Sequence, residues 1–193
     1  MPETPEGLHR RAASTLRMPP VGEWDTFPFD GEMRPRRLRP PTEVDPPRGG
    51  AGGVNCIACA AGDDRYLWAG QRWRLLAPRP GGLPVVVLLE TRDHYAEPGD
   101  LPPTIARELG EMIVRVEGAV RAIEGVGRVH VCRWGDGAEH LHWWFMARPT
   151  RMPQLLGSFA AIWDDVLPET PDDIWNANVA QVVETLRRSF AVW

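Results

Sequence analysis

The chain of 193 residues contains no lysine: all 22 of its basic residues are arginine. Set against 26 acidic residues, they leave a net charge of −4. The composition therefore offers no basic excess for nucleic acid or for an anionic membrane surface. The absence of lysine also weakens any single arginine as a sign of phosphate binding, because a GC-rich genome favours Arg, Ala, Gly and Pro codons together. Cysteine is scarce, three in all. That is too few for the disulfide framework of a small secreted domain and suits a reducing, cytoplasmic setting. No apolar run approaches the roughly 18 residues of a membrane span. The start, Met1-Pro2-Glu3-Thr4-Pro5-Glu6, lacks the basic and apolar regions of a signal peptide. We expect a cytoplasmic globular protein with neither nucleic acid nor membrane among its partners.

Proline and glycine are unevenly spread. Residues 1–53 hold half of the 20 prolines, the basic stretch Arg34-Pro35-Arg36-Arg37-Leu38-Arg39, and the run Gly49-Gly50-Ala51-Gly52-Gly53. Such density argues against helices or central strands. Trp24, Phe27 and Phe29 are nonetheless too apolar for a purely solvated tail. Residues 1–53 read as an extended arm that docks through 24–29 on the domain or on a second subunit.

Residues 54–150 read as the domain itself. Arg65–Ala69 and Arg72–Ala77 flank Gly70-Gln71 as a hairpin, and Pro84–Glu90 is a buried strand. Residues 104–123 place Ile105, Leu109, Met112, Ile113, Val116, Val120 and Ile123 on one helical stripe. Arg128–Trp134 and His140–Ala147 are two further strands. Residues 151–193 add two helices packed on the domain. Gln154–Val166 points Leu155, Phe159, Ile162 and Val166 one way. The second, 171–190, opens with Thr170 as N-cap, Pro171 at the first position and Asp172-Asp173 in the first turn. The class is α+β, an antiparallel sheet with a long helix packed on it.

Chemistry concentrates in a few residues. Two of the five histidines alternate in His140-Leu141-His142-Trp143-Trp144-Phe145-Met146. On a strand His140, His142, Trp144 and Met146 share a face, while Leu141, Trp143 and Phe145 take the other. Cys56-Ile57-Ala58-Cys59 is half of a zinc site, a redox dithiol or a pair of buried cysteines. His94 follows the buried strand. Together Cys56, Cys59, His94 and His140 offer two thiolates and two imidazoles, a good tetrahedral zinc set. Trp143-Trp144 either pack the core or stack a base or sugar. Glu139, beside His140, is discounted as its partner because adjacent strand residues point apart. Arg133 reads as a strand arginine paired with an acid.

This ordered set resembles the histidine triad (HIT) superfamily, whose motif is His-x-His-x-His followed by two apolar residues. Zinc-containing HIT branches and the galactose-1-phosphate uridylyltransferases carry a Cys-x-x-Cys, a histidine after a buried strand and the first motif histidine in the same order. The resemblance covers about 54–150. It implies a HIT-like sheet and structural zinc on Cys56, Cys59, His94 and His140. It further implies a homodimer, a nucleotide or related phosphate ester as substrate, and His142 as nucleophile through a nucleotidyl-histidine intermediate. Trp144 stands where the third histidine belongs, and it and Arg148 become the candidate substrate contacts. The loop Trp134-Gly135-Asp136-Gly137-Ala138-Glu139 is short for the family and lacks its Asn and Gln/Ser phosphate contacts. No acidic residue stands near Pro78 for ribose hydroxyls. These departures keep a second reading open, a catalytically silent HIT-fold module with structural zinc. A Cys-x-x-Cys redox protein is the third.

Overall fold

The apolar run Val85-Val86-Val87-Leu88-Leu89 becomes the middle of a five-stranded sheet. The computed structural model describes residues 3–12, 16 and 18–191. Its strands are β1 (Trp68–Ala69), β2 (Trp73–Leu76), β3 (Val86–Thr91), β4 (Val126–Cys132) and β5 (His142–Pro149). They lie in the order β1-β2-β3-β5-β4, and every neighbouring pair is antiparallel. The helices are α1 (Pro5–Ala12), α2 (Ile57–Ala60), α3 (Pro103–Arg121), α4 (Ala160–Val166) and α5 (Asp172–Ser189). The architecture is α+β, and no helix among the described residues is long and apolar enough to cross a membrane.

Alternation on β5 divides its side chains between two cores. Trp143, Phe145 and Ala147 join Leu75, Val87 and Leu89 beneath α3 and α5, which contribute Ile105, Met112, Val116, Val120, Val179, Val182 and Leu186. Phe145 and Val116 are fully buried; a side chain of this kind contributes roughly 1.5–3 kcal/mol by leaving water. The opposite face carries His142, Trp144 and Met146. Its smaller cluster of Leu83, Val86, Met146 and Leu155 is flanked by Trp163 and Leu167 of the C-terminal segment.

Two compact units divide the chain, Met1–Pro47 and Arg48–Trp193. In the first, α1 is a helix where proline density argued against one. Thr4 Oγ1 accepts the Gly7 N–H at 3.1 Å, and Pro5 occupies the first turn, where its missing N–H costs nothing. Phe27 and Phe29 meet edge to face at 5.6 Å.

In the second unit three local expectations change. The β1–β2 turn centres on Gln71-Arg72 rather than Gly70-Gln71, since the Gly70 N–H donates to the Trp73 carbonyl at 2.9 Å. The helix expected over 154–166 begins only at Ala160, because Gly157 takes φ +58, a left-handed bend that interrupts it. Ala160 is then the buried residue, while Ile162 and Val166 face solvent. Thr170 does not cap α5, because its hydroxyl donates to the Leu83 carbonyl at 2.9 Å. Asp172 and Asp173 still open that helix and Arg187 and Arg188 close it, matching its dipole.

Candidate metal centre and the face beside it

The route to the thiols is a series of tight bends. Gly50, at φ +79, lies so close to Cys56 that an added Cβ would stand 3.1 Å from its Cα. The bends place Cys56 at the N-cap of α2, a single turn that carries Cys59 at its far end. Cys56 Sγ lies 3.4 Å and Cys59 Sγ 3.6 Å from His140 Nδ1, and Cys59 Sγ lies 3.5 Å from His94 Nδ1. All four donor atoms lie within 4.8 Å of one another. A tetrahedral zinc with ordinary Zn–S and Zn–N bonds separates sulfur from nitrogen by about 3.5 Å. Three of the donor pairs therefore already stand at the edge length that such an ion requires.

The histidines are turned for this role. His140 Nε2–H donates to the Thr91 carbonyl at 2.7 Å, which leaves the Nδ1 lone pair toward the sulfurs. Burial holds its pKa below the usual histidine value, favouring the neutral ring that a metal needs. His140 is buried just ahead of β5 rather than within it. The alternation read over the whole motif thus begins only at His142.

Glu139 corrects its expectation. Residues 133–141 are loop, not strand, and the Glu139 carboxylate turns to the metal side. Its Oε1 accepts the Gly52 N–H at 2.6 Å and stands 3.5 Å from His94 Nε2, while Arg48 approaches Oε2 at 3.4 Å. The Gly52 N–H is the main cause of its lowered pKa. Arg48 also shares Glu97 with Arg133, at 2.7 and 2.6 Å, so Arg133 is acid-paired as expected.

A further group escaped the sequence altogether. Arg74, Glu90 and Tyr66 are all buried, and Glu90 Oε1 accepts from the Tyr66 hydroxyl at 2.5 Å and from Arg74 at 3.2 Å. The Arg74 guanidinium lies over the Tyr66 ring at 4.2 Å and donates to the Ala58 carbonyl, inside the cysteine turn, at 3.0 Å. Register makes the group: Arg74 pairs with Glu90 across β2–β3, and Glu90 pairs with His142 across β3–β5. The buried ion pair thereby joins the cysteine turn to the strands beside His142.

His142 is half-buried. Its Nδ1–H donates to the His140 carbonyl at 2.8 Å, so the Nε2 lone pair points away from the backbone. The Trp144 ring meets it edge-on at 6.1 Å between centroids, and Trp134 lies 5.9 Å beyond Trp144.

No protein-family model and no curated protein sequence matches the chain. Solved structures do. A histidine triad protein from Marinobacter aquaeolei VT8 superposes with a TM-score of 0.52 at 17% identity, over 64% of this chain and 88% of that one. One from Bradyrhizobium japonicum gives 0.50 at 21%, over 64% and 87%. A zinc-bound histidine triad family protein from Mycobacterium smegmatis gives 0.52 at 13%, over 72% and 99%. This is the histidine triad fold.

Within that fold the remaining motif residues separate. Trp143 is buried in the main core, whereas Trp144 lies half-buried on the His142 face. The Trp144 indole Nε1 is buried without a hydrogen-bond partner. Arg148 extends from the far end of β5, where its guanidinium donates to the Met152 carbonyl at 3.3 Å. Of the proposed residues, the fold brings the four metal donors together and sets His142 and Trp144 side by side. Arg148 lies six residues along the strand from His142.

Proposed function

We propose that this chain is a HIT-type hydrolase or transferase acting on a nucleotide or related phosphate ester, with structural zinc held by Cys56, Cys59, His94 and His140. The observation that carries the reading is the hydrogen bond from His142 Nδ1–H to the His140 carbonyl. It selects the tautomer whose Nε2 lone pair is free to attack phosphorus. In the first step Nε2 bonds to phosphorus as the bond to the leaving oxygen breaks, giving a nucleotidyl-histidine. The leaving oxygen departs with the electron pair and takes its proton from solvent, because Trp144 has no basic nitrogen with which to relay one. Water or another acceptor then attacks phosphorus and frees Nε2. Zinc supplies a rigid corner that fixes the residues leading into β5. A homodimer in the cytoplasm completes the proposal, with β4 at the sheet edge.

Trp144 in the third triad position supports a second reading, a silent HIT-fold module that binds a ligand or partner. Purified protein and His142→Ala, assayed against nucleoside phosphoramidates and dinucleoside polyphosphates with intact-mass detection, separate the two. Turnover or a covalent adduct that depends on His142 supports the enzyme. Folded, zinc-loaded protein that gives neither supports the module.

A further inference from the structure

The end of the β4–β5 pair remote from His142 gathers three arginines. Arg128 on β4 pairs with Arg148 on β5, so their side chains stand opposite each other on one face of the sheet. The ladder shifts register between Val126 and Arg128, an irregularity of the kind that re-aims side chains at functional strand ends. Gly127, at the shift, crosses Thr150 so closely that an added Cβ would stand 3.0 Å from its Cγ2. The crossing brings Arg151, next to Thr150, to the same corner. Arg148 joins it there, since its Nη1 donates to the Met152 carbonyl at 3.3 Å.

The corner is cationic without compensation. Like charges directly opposite each other on neighbouring strands destabilise a sheet. Arginines elsewhere in this unit meet carboxylates, Arg48 at Glu97 and Glu139, Arg74 at Glu90 and Arg92 at Asp63. Arg128, Arg148 and Arg151 form no ion pair among the described residues. Residues 125–135 and 140–163 contain no aspartate or glutamate, so neither strand nor the turn after β5 supplies one. Arg128 Nη1 donates only to the neutral Gly127 carbonyl, at 3.1 Å. A guanidinium carries several N–H donors in a fixed fork, so Arg128 and Arg148 each keep donors for a ligand. Arg151 is exposed and takes φ +61, a conformation that a long side chain rarely adopts and glycine adopts freely. Retaining an arginine there sets a strained backbone beside two unneutralised cations, the kind of outlier that points to a binding role.

We propose that Arg128, Arg148 and Arg151 form a binding site for a phosphate dianion, separate from the His142 site. Six residues of strand set Arg148 about 20 Å from His142, too far for one phosphate to touch both. Guanidinium forks match the oxygens of a phosphate, and each charge-assisted bond is stronger than a neutral one. A dianion between the strands turns the repulsion of Arg128 and Arg148 into shared attraction and offsets the strain at Arg151. The occupant is inorganic phosphate or the phosphate of a monoester, which present the same chemistry to the three arginines. The site stands whether or not His142 is a nucleophile.

The test is calorimetric titration and thermal melting of the full, zinc-loaded chain with inorganic phosphate, at an ionic strength held constant with chloride. Phosphate should raise the melting temperature of the parent and of His142→Ala alike. Arg128→Gln should weaken phosphate binding about tenfold, the loss expected for one charge-assisted contact. In phosphate-free buffer that variant should melt slightly higher than the parent, because a like-charge pair is gone. In saturating phosphate the order should reverse. Arg151→Gly should show the same reversal, since it releases the strained φ and removes a cation. Arg128→Lys keeps the charge without the fork and should retain part of the binding. Glycerol 3-phosphate separates the two sources: tighter binding of the ester assigns the site to a monoester, and tighter binding of inorganic phosphate assigns it to the free ion. The proposal is overturned if phosphate gives no shift beyond that of chloride, or if Arg128→Gln and Arg151→Gly both bind it as the parent does. It is overturned equally if His142→Ala alone abolishes the binding, which would place the phosphate at the other site.

Discussion

The metal corner and the His142 face lie on either side of one residue, Leu141, yet they are built in opposite ways. At the corner His140 is oriented by the Thr91 carbonyl, Glu139 is gripped by Gly52 and Arg48, and Arg74 reaches into the cysteine turn. On the face, His142 is held by one hydrogen bond, from its Nδ1–H to the His140 carbonyl. Connected polar networks rigidify and specify a structure, whereas a half-buried ring held by one bond keeps its other nitrogen for other work. The contrast separates the part of the molecule that holds shape from the part available for chemistry.

The corner should break first and hardest. His140→Ala or Cys56→Ser removes a donor from a site whose binding free energy is also folding free energy. Bound zinc, measured by mass or absorption spectroscopy, should fall from about one per chain to none, with loss of cooperative melting. Full zinc and an unchanged melting temperature in His140→Ala would overturn the ligand set. A redox protein would instead cycle Cys56 and Cys59 through a disulfide and need no metal.

Next in size is Arg74→Met, which leaves Glu90 buried without its cation. Breaking one side of a buried pair costs about 3–5 kcal/mol, readable by urea unfolding. Adding Glu90→Leu should restore most of it, because two apolar residues need no partner there. If the double variant is no more stable than the single one, the network is not the joint described above.

These two predictions differ in how far the sequence alone could reach. The four donors were legible because their residue types and order survive whatever the backbone does between them. The long amphipathic helix and the strand segments of an antiparallel sheet are legible from periodicity, while the strand order is not. Arg74 and Glu90 were not: each stands on an apolar strand, and only the β2–β3 register sets one opposite the other. Glu139 was misjudged because the alternation of a strand was extended backward over a loop. Gly157 shortened the expected helix because a glycine in a helical pattern gives no notice of whether it will take a positive φ. Local pattern identifies donors and faces, while partners depend on register.

Glu139→Ala tests the outer support of the corner with a smaller effect. The four proposed donors remain, but His94 loses its neighbouring carboxylate and Arg48 its second acid. Zinc affinity in a chelator competition should drop about 10–100-fold, the usual consequence of removing such a group. An unchanged affinity would show that Glu139 serves the loop alone.

A milder effect lies above the reactive face, where α4 is held to the sheet by Asp164. Its Oδ1 accepts the Leu83 N–H at 2.8 Å, and burial raises its pKa above the usual aspartate value despite that bond. A carboxyl raised in the folded state contributes stability that is complete below the unfolded value of about 3.9. That contribution is lost as pH rises through the folded value. Asp164→Asn keeps the acceptor and removes the charge. It should therefore be more stable than the parent at pH 7 and no more stable at pH 3, by thermal melts at both. Equal differences at the two values would mean that burial does not govern this carboxyl.

The smallest structural effect belongs to His142→Ala, and it sharpens the contrast most. The half-buried ring has a single hydrogen bond, to a carbonyl that solvent can satisfy in its place, so zinc content should be unchanged and stability should fall by no more than about 1 kcal/mol. Turnover of a phosphate ester, by contrast, should vanish, since the proposed attacking atom is the His142 Nε2. A residue whose loss costs the fold almost nothing and the reaction everything is one kept for chemistry. If His142→Ala instead sheds zinc or unfolds with His140→Ala, the two histidines act as a single structural unit, and the face beside the metal corner is part of the corner.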